Sequence, residues 1–139
     1  MDDRGQISAE YLLLIVVILV ILSFVTIPLM GESIDASNNV SQASDAKVVV
    51  ESIANAVNIV YANGPGAKKS LDVNIPKNGM DIQYNSSSLI LKNNIAKPVN
   101  ATVNANVSLN TNTLNKGWYK AIVYWDFGKT FVNVNLTKT

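Results

Sequence analysis

The chain has 139 residues, a formal net charge of +1, and neither cysteine nor histidine. Without those two residue types, disulfide staples, His/Cys metal sites, Ser-His-Asp triads and Cys-His dyads are excluded. A balance this close to neutral gives nucleic acid no electrostatic footing, so no nucleic-acid partner is expected.

The first residues, Met1 to Gly5, are short and polar. The twenty residues from Tyr11 to Met30 then carry no charge at all. As a helix they would extend roughly 30 Å, the thickness of a bilayer's hydrocarbon core. Pro28 and Gly31 stand near the end of this run. Pro28 lacks a backbone donor and crowds the preceding turn, so a bend is expected there.

From Glu32 to Ala62 the sequence reads as helix, rich in alanine and free of proline and glycine. Val50, Ile53, Val57, Val60 and Tyr61 recur at three- and four-residue steps and form one apolar stripe. Ser37-Asn38-Asn39 is a poor helix interior and a weak spot. Asn63-Gly64-Pro65-Gly66 is a stop, with residues that accept positive φ and a proline that cannot continue the helix.

Beyond the stop the period changes. Leu71, Val73 and Ile75 alternate with polar residues, as do Ile82 and Tyr84, and Leu89-Ile90-Leu91 follows. Ala101, Val103, Ala105, Val107 and Leu109 alternate with Asn100, Thr102, Asn104, Asn106 and Ser108, which predicts one half-buried strand. Trp118 to Trp125 reads as a strand, Asp126-Phe127-Gly128-Lys129 as a hairpin turn, and Phe131 to Leu136 as the return strand. The expected fold is therefore α+β. A long N-terminal hydrophobic helix continues as an amphipathic stem packed on a C-terminal, mainly antiparallel sheet.

Catalysis would have to rest on Asp, Glu, Lys or Tyr. Asp72, Asp81 and Asp126 are scattered with no motif around them, so no enzyme and no cofactor are expected. The opening stretch carries more information. A secretory signal peptide would have a positive n-region and a small-residue cleavage site, whereas Asp2-Asp3-Arg4 is not positive and the apolar run is too long. A plain membrane anchor fits the length. It does not explain Glu10, a carboxylate at the edge of the apolar run. An ionised carboxylate costs several kcal/mol in hydrocarbon unless paired, which makes it a functional candidate.

Gly5, Gln6, Ser8, Glu10 and Leu14 supply a Gly followed by Gln-x-Ser-x-Glu-x-x-x-Leu. The stretch resembles the class III signal sequence of archaeal type IV pilin-like proteins, and in particular a pilin branch of methanogens. That resemblance covers about the first thirty residues. It implies a leader at 1–5, a membrane and filament-core helix at 6–30, a stem helix at 31–62 and a β-rich head at 63–139. It further implies cutting by a prepilin peptidase between Gly5 and Gln6, with the greasy helix kept. The precursor would sit in the cell membrane with its head outside. The mature chain would then join other pilin subunits in a surface filament, with adhesion as an added role. Arg4 fits the cytoplasmic side. Glu10, one turn from the new amino terminus at Gln6, would neutralise that amine or the amine of a docking subunit. The alternative is a membrane-anchored extracellular binding module that does not polymerise.

Five Asn-x-Ser/Thr sequons stand at Asn39, Asn85, Asn100, Asn106 and Asn135, where chance would give roughly two or three. They are candidate N-glycosylation sites, and equally they are polar filler on exposed faces. Trp118, Tyr119, Tyr124 and Trp125 are expected in the core, with a sugar-binding platform as the second option. Lys68-Lys69 reads as a solvated loop pair.

Overall fold

The structure is a computed structural model that describes residues 3–93 and 97–139. Met1 and Asp2, the start of the expected leader, lie outside the described residues. One helix, α1, runs from Asp3 to Asn63 and is followed by eight strands. The helical assignment passes through Pro28 and Gly31 without a break. The chain divides into two units, Met1–Asn38 and Asn39–Thr139, within the Ser37-Asn38-Asn39 triplet of poor helix formers.

The first unit is helix alone. Its large apolar side chains, from Ile7 to Ile34, are all exposed. The polar side chains inside the apolar run are satisfied locally. The Ser23 hydroxyl donates to the Leu19 carbonyl at 2.8 Å, and the Thr26 hydroxyl to the Leu22 carbonyl at 2.7 Å. Bonding back to the preceding turn hides both hydroxyls from a hydrocarbon environment.

In the second unit the last turns of α1 bury Ala46, Val49, Val50, Ile53, Ala54, Ala56, Val57 and Val60. That spacing is the apolar stripe of an amphipathic helix, widened by small alanines that let backbone approach closely. Tyr61 is 44% exposed, yet its ring stacks on Trp125 with centroids 5.2 Å apart. The helix stops where expected. Gly64 takes φ 87° and its amide donates to the Tyr61 carbonyl at 3.2 Å.

The strands are β1 (Lys68–Ile75), β2 (Met80–Asn85), β3 (Ser88–Lys92), β4 (Val99–Thr102), β5 (Val107–Leu109), β6 (Thr113–Leu114), β7 (Gly117–Tyr124) and β8 (Val132–Lys138). They form two four-stranded sheets, ordered β1-β7-β8-β5 and β4-β3-β2-β6, where a single sheet was expected. All pairs are antiparallel except β5 with β8. Val73, Ile75, Tyr119, Ala121, Val123, Val132, Val134 and Leu136 of the first sheet join one core with Ile82, Leu89, Leu91 and Leu114 of the second. The helical stripe completes that core.

Further expectations need correction. Lys68 and Lys69 are solvent-exposed as expected but are not a loop pair: they open β1, paired with Tyr124 and Val123 of β7. The stretch from Asn100 to Leu109 is not one strand. Its facing is as expected, with Val103 and Ala105 buried and Asn100, Thr102, Asn104 and Asn106 exposed. But β4 belongs to one sheet and β5 to the other, and residues 103–106 cross between them. The cause lies on α1. Asn58 accepts a hydrogen bond from the Asn104 amide at 2.8 Å and donates to the Thr102 carbonyl at 3.3 Å. The Val103 amide goes to the Ser87 carbonyl, and the Asn106 carbonyl accepts from the Val132 amide. The crossing backbone thus keeps its partners while it changes sheet, as strands do at the corners of packed sheets. Another correction concerns Trp118 and Tyr124, both expected in the core: Trp118 is 58% exposed and Tyr124 only half-buried, although Tyr119 is buried. On β7 the odd positions 119, 121 and 123 point into the core, which turns Trp118, Lys120, Ile122 and Tyr124 to the other face.

Candidate functional site

The five motif residues lie in the first unit, at the start of α1. Gly5, Gln6, Ser8, Glu10 and Leu14 are all helical and exposed. Gln6, Glu10 and Leu14 recur at four-residue steps, so a helix carries them along one side. A Cβ added at Gly5 would meet nothing within 4 Å, so no packing within this chain demands a glycine there. Glu10 is followed directly by the uncharged run, and none of the side chains from Tyr11 to Met30 is buried. Sequence and structure therefore place one carboxylate at the margin of a large unpartnered apolar surface. Monomeric soluble proteins rarely expose contiguous apolar patches beyond a few hundred Å². A surface of this kind implies lipid or other helices around it.

The sequons are not brought together. Asn39 is exposed on α1 and begins the second unit. Asn85 ends β2 at a two-residue hairpin in which Ser86 and Ser87 both take positive φ, 44° and 68°. Asn100 is exposed on β4. Asn106 is exposed on the crossing segment, and its Oδ1 accepts from the Tyr84 hydroxyl at 3.2 Å. Asn135 is half-buried on β8, and its Oδ1 accepts from Asn110 Nδ2 at 2.6 Å. In each of these two bonds the acceptor is Oδ1, while a glycan would be attached at Nδ2, so both contacts are compatible with modification.

The acidic residues do not converge. Among the described residues no group of three or more carboxylates could hold a metal ion. Asp81 accepts from the Thr113 hydroxyl at 2.9 Å, and Asp126 from Asn133 Nδ2 at 3.3 Å. The one ion pair among the described residues is Lys47 with Glu51, at 3.7 Å on the surface of α1.

A helix with a bare apolar first part and a second part sunk into a β-rich domain has the layout of a pilin-like chain. The family model of the class III signal peptide matches residues 4–29, which contain every motif residue from Gly5 to Leu14. Together with the helix, long and apolar enough to cross a membrane, the match supports a type IV pilin-like protein with a membrane-anchored, secreted precursor. A class III signal implies handling by a prepilin peptidase, and it points to a structural protein rather than an enzyme. Nothing among curated proteins and nothing among solved structures matches the chain.

Proposed function

We propose that the chain is a structural subunit of an archaeal type IV pilus-like surface filament, of the pilin branch found in methanogens, and that the filament is adhesive. A prepilin peptidase cuts between Gly5 and Gln6. Residues 6–30 anchor the precursor and then pack with equivalent helices of other subunits. Residues 31–62 continue the stem, and residues 63–139 form the head outside the cell. The observation that carries this reading is the class III signal match over residues 4–29, on a helix whose large apolar side chains from Ile7 to Ile34 are all exposed.

The physics of assembly follows from that surface. In the bilayer the helix is already shielded from water, so polymerisation gains little from the hydrophobic effect. It gains from close packing and from pairing of charge. Cleavage creates an amine at Gln6, positively charged at neutral pH. Glu10 is one turn away and pairs with it, or with the amine of the next subunit. Ser8 and Leu14 complete the segment that the peptidase and the assembling subunits meet. Asn39, Asn85, Asn100 and Asn106 are the positions where glycans attach, while Asn135, the half-buried sequon, keeps a free amide; a glycan on a strand also protects its edge from unwanted pairing.

Mass spectrometry of the mature N-terminus tests the processing step. The expected N-terminus is Gln6 with a free α-amine; a pyroglutamate formed from it would also report the cut, but it is a neutral lactam and would leave Glu10 without that charge to pair with. An N-terminus at Met1 on the assembled protein, or a cut after residue 22, would contradict it.

A further inference from the structure

The second unit carries a cleft that the pilin layout does not require. It opens where the outer face of β7 meets the β7–β8 turn. It has a volume of about 430 Å³ and is lined by Lys68, Ile122, Tyr124, Asp126, Phe127 and Asn135, among others. That volume lies within the range of small-molecule sites, about 300–1,000 Å³.

Its walls are held in place. Trp125 is fixed on two sides, stacked on Tyr61 and donating its indole N–H to the Lys129 carbonyl at 2.8 Å. That bond ties the Asp126-Phe127-Gly128-Lys129 turn to the end of β7. Phe127 is 80% exposed, yet its ring lies directly on the backbone of Gly66. A Cβ at Gly66 would come within 2.7 Å of that ring and displace it, and the φ of 95° at Gly66 is a conformation that favours glycine. The Asp126 carboxylate is oriented by Asn133. Neither Lys68 nor Asp126 takes part in the one ion pair among the described residues. The cleft therefore offers a preset apolar surface from Ile122, Tyr124 and Phe127. A cation, a carboxylate and an amide that can bond a ligand stand around it.

We propose that this cleft binds a neutral saccharide. A pyranose has one face of C–H groups and a rim of hydroxyls. The C–H face stacks on an exposed aromatic ring, and the rim takes an oriented carboxylate and an amide as hydrogen-bond partners. Lys68 and Asp126 cancel in net charge, so the cleft does not favour a ligand of one charge sign. The preset turn lowers the ordering cost of binding. This gives the adhesive part of the proposed function a site. It does not depend on polymerisation, so a test on unassembled chain separates the two.

The full chain is produced in a host without N-glycosylation and kept in a zwitterionic detergent that has no sugar headgroup. It is run on native gels cast with soluble mannan, galactan or mixed-linkage glucan. At least one of these polymers is expected to retard it. Tyr124→Ala and Phe127→Ala are each expected to weaken the retardation about tenfold, and Asp126→Asn less. Phe127→Ala leaves the core untouched, and an unchanged thermal melt shows that the head is folded. Absence of retardation in all three polymers overturns the proposal, as does full retardation of Tyr124→Ala. Two further outcomes also overturn it. One is a dimer of the wild-type chain that Phe127→Ala dissolves, which would give the cleft to a second copy. The other is a glycan found on Asn135 of the native protein that blocks binding until removed, which would give the cleft to the chain's own sugar.

Discussion

Ile18 and Ile53 are the same residue type on one unbroken helix, but Ile18 is 47% exposed and Ile53 is fully buried. The second half of α1 is a soluble protein's helix, with a stripe of small and branched residues turned into a core and a polar remainder. The run from Tyr11 to Met30 in the first half is apolar all round, and its described side chains are all exposed. A helix of that composition is at home in a membrane or among other helices. The difference shows how one continuous element can serve two solvents. The second unit carries its own buried core, and under the proposed function the first half of the helix is left for neighbours.

Substitutions at paired sites should separate these roles. Ile53→Ala leaves a cavity in the head and is expected to cost about 2–5 kcal/mol, read as a lowered thermal midpoint of the full chain in detergent. Ile18→Ala should leave that midpoint unchanged. Equal shifts for the two would show that the first half also packs on the head. Ile18→Arg is expected to oppose membrane insertion by about 2.5–3.5 kcal/mol, seen as subunit lost from the membrane fraction. Insertion at the wild-type level would mean that the run is not used as a span. A smaller effect sharpens the account of the head. Asn58→Ala removes the side chain that serves both Thr102 and Asn104. It should cost about 1–3 kcal/mol and expose the Asn104 amide to faster hydrogen exchange. Protection unchanged at Asn104 would mean that the strand crossing is held by its other bonds.

Most of the fold is legible in the sequence because each element announces its own period. The three-four spacing of Val50, Ile53, Val57 and Val60 gives the helical stripe, Asn63-Gly64-Pro65-Gly66 gives its end, and the alternation along Val73, Ile82, Leu89 and Val103 gives the core face. The division into two sheets is not legible. Alternation from Asn100 to Leu109 looks the same whether the strand continues or crosses, and what decides is a hydrogen bond from Asn58, far away in sequence. Trp118 and Tyr124 read as core because the head has few other large apolar residues, yet both stand on the outer face of β7. Lys120, between them, marks the same face as exposed and could have corrected that reading. The signal motif was legible outright, since it depends on residue identity in register and not on folding. The cleft beside Phe127 was not, because it depends on a ring lying on Gly66, a contact between a helix-stop loop and a hairpin turn.

The central claim is that the unpartnered half of α1, with Glu10 at its margin, is an assembly surface and not merely an anchor. Glu10→Gln tests it most directly, since it keeps the shape and removes the charge. The amount of variant subunit is measured in sheared filaments relative to the membrane fraction, in cells that lack the wild-type copy. The account predicts normal insertion, because the apolar run is intact, and normal cutting at Gly5-Gln6. It also predicts a marked loss from filaments, because the amine at Gln6 would be left unpaired in a medium of low dielectric. Wild-type incorporation of Glu10→Gln would contradict the claim and leave the helix as an anchor.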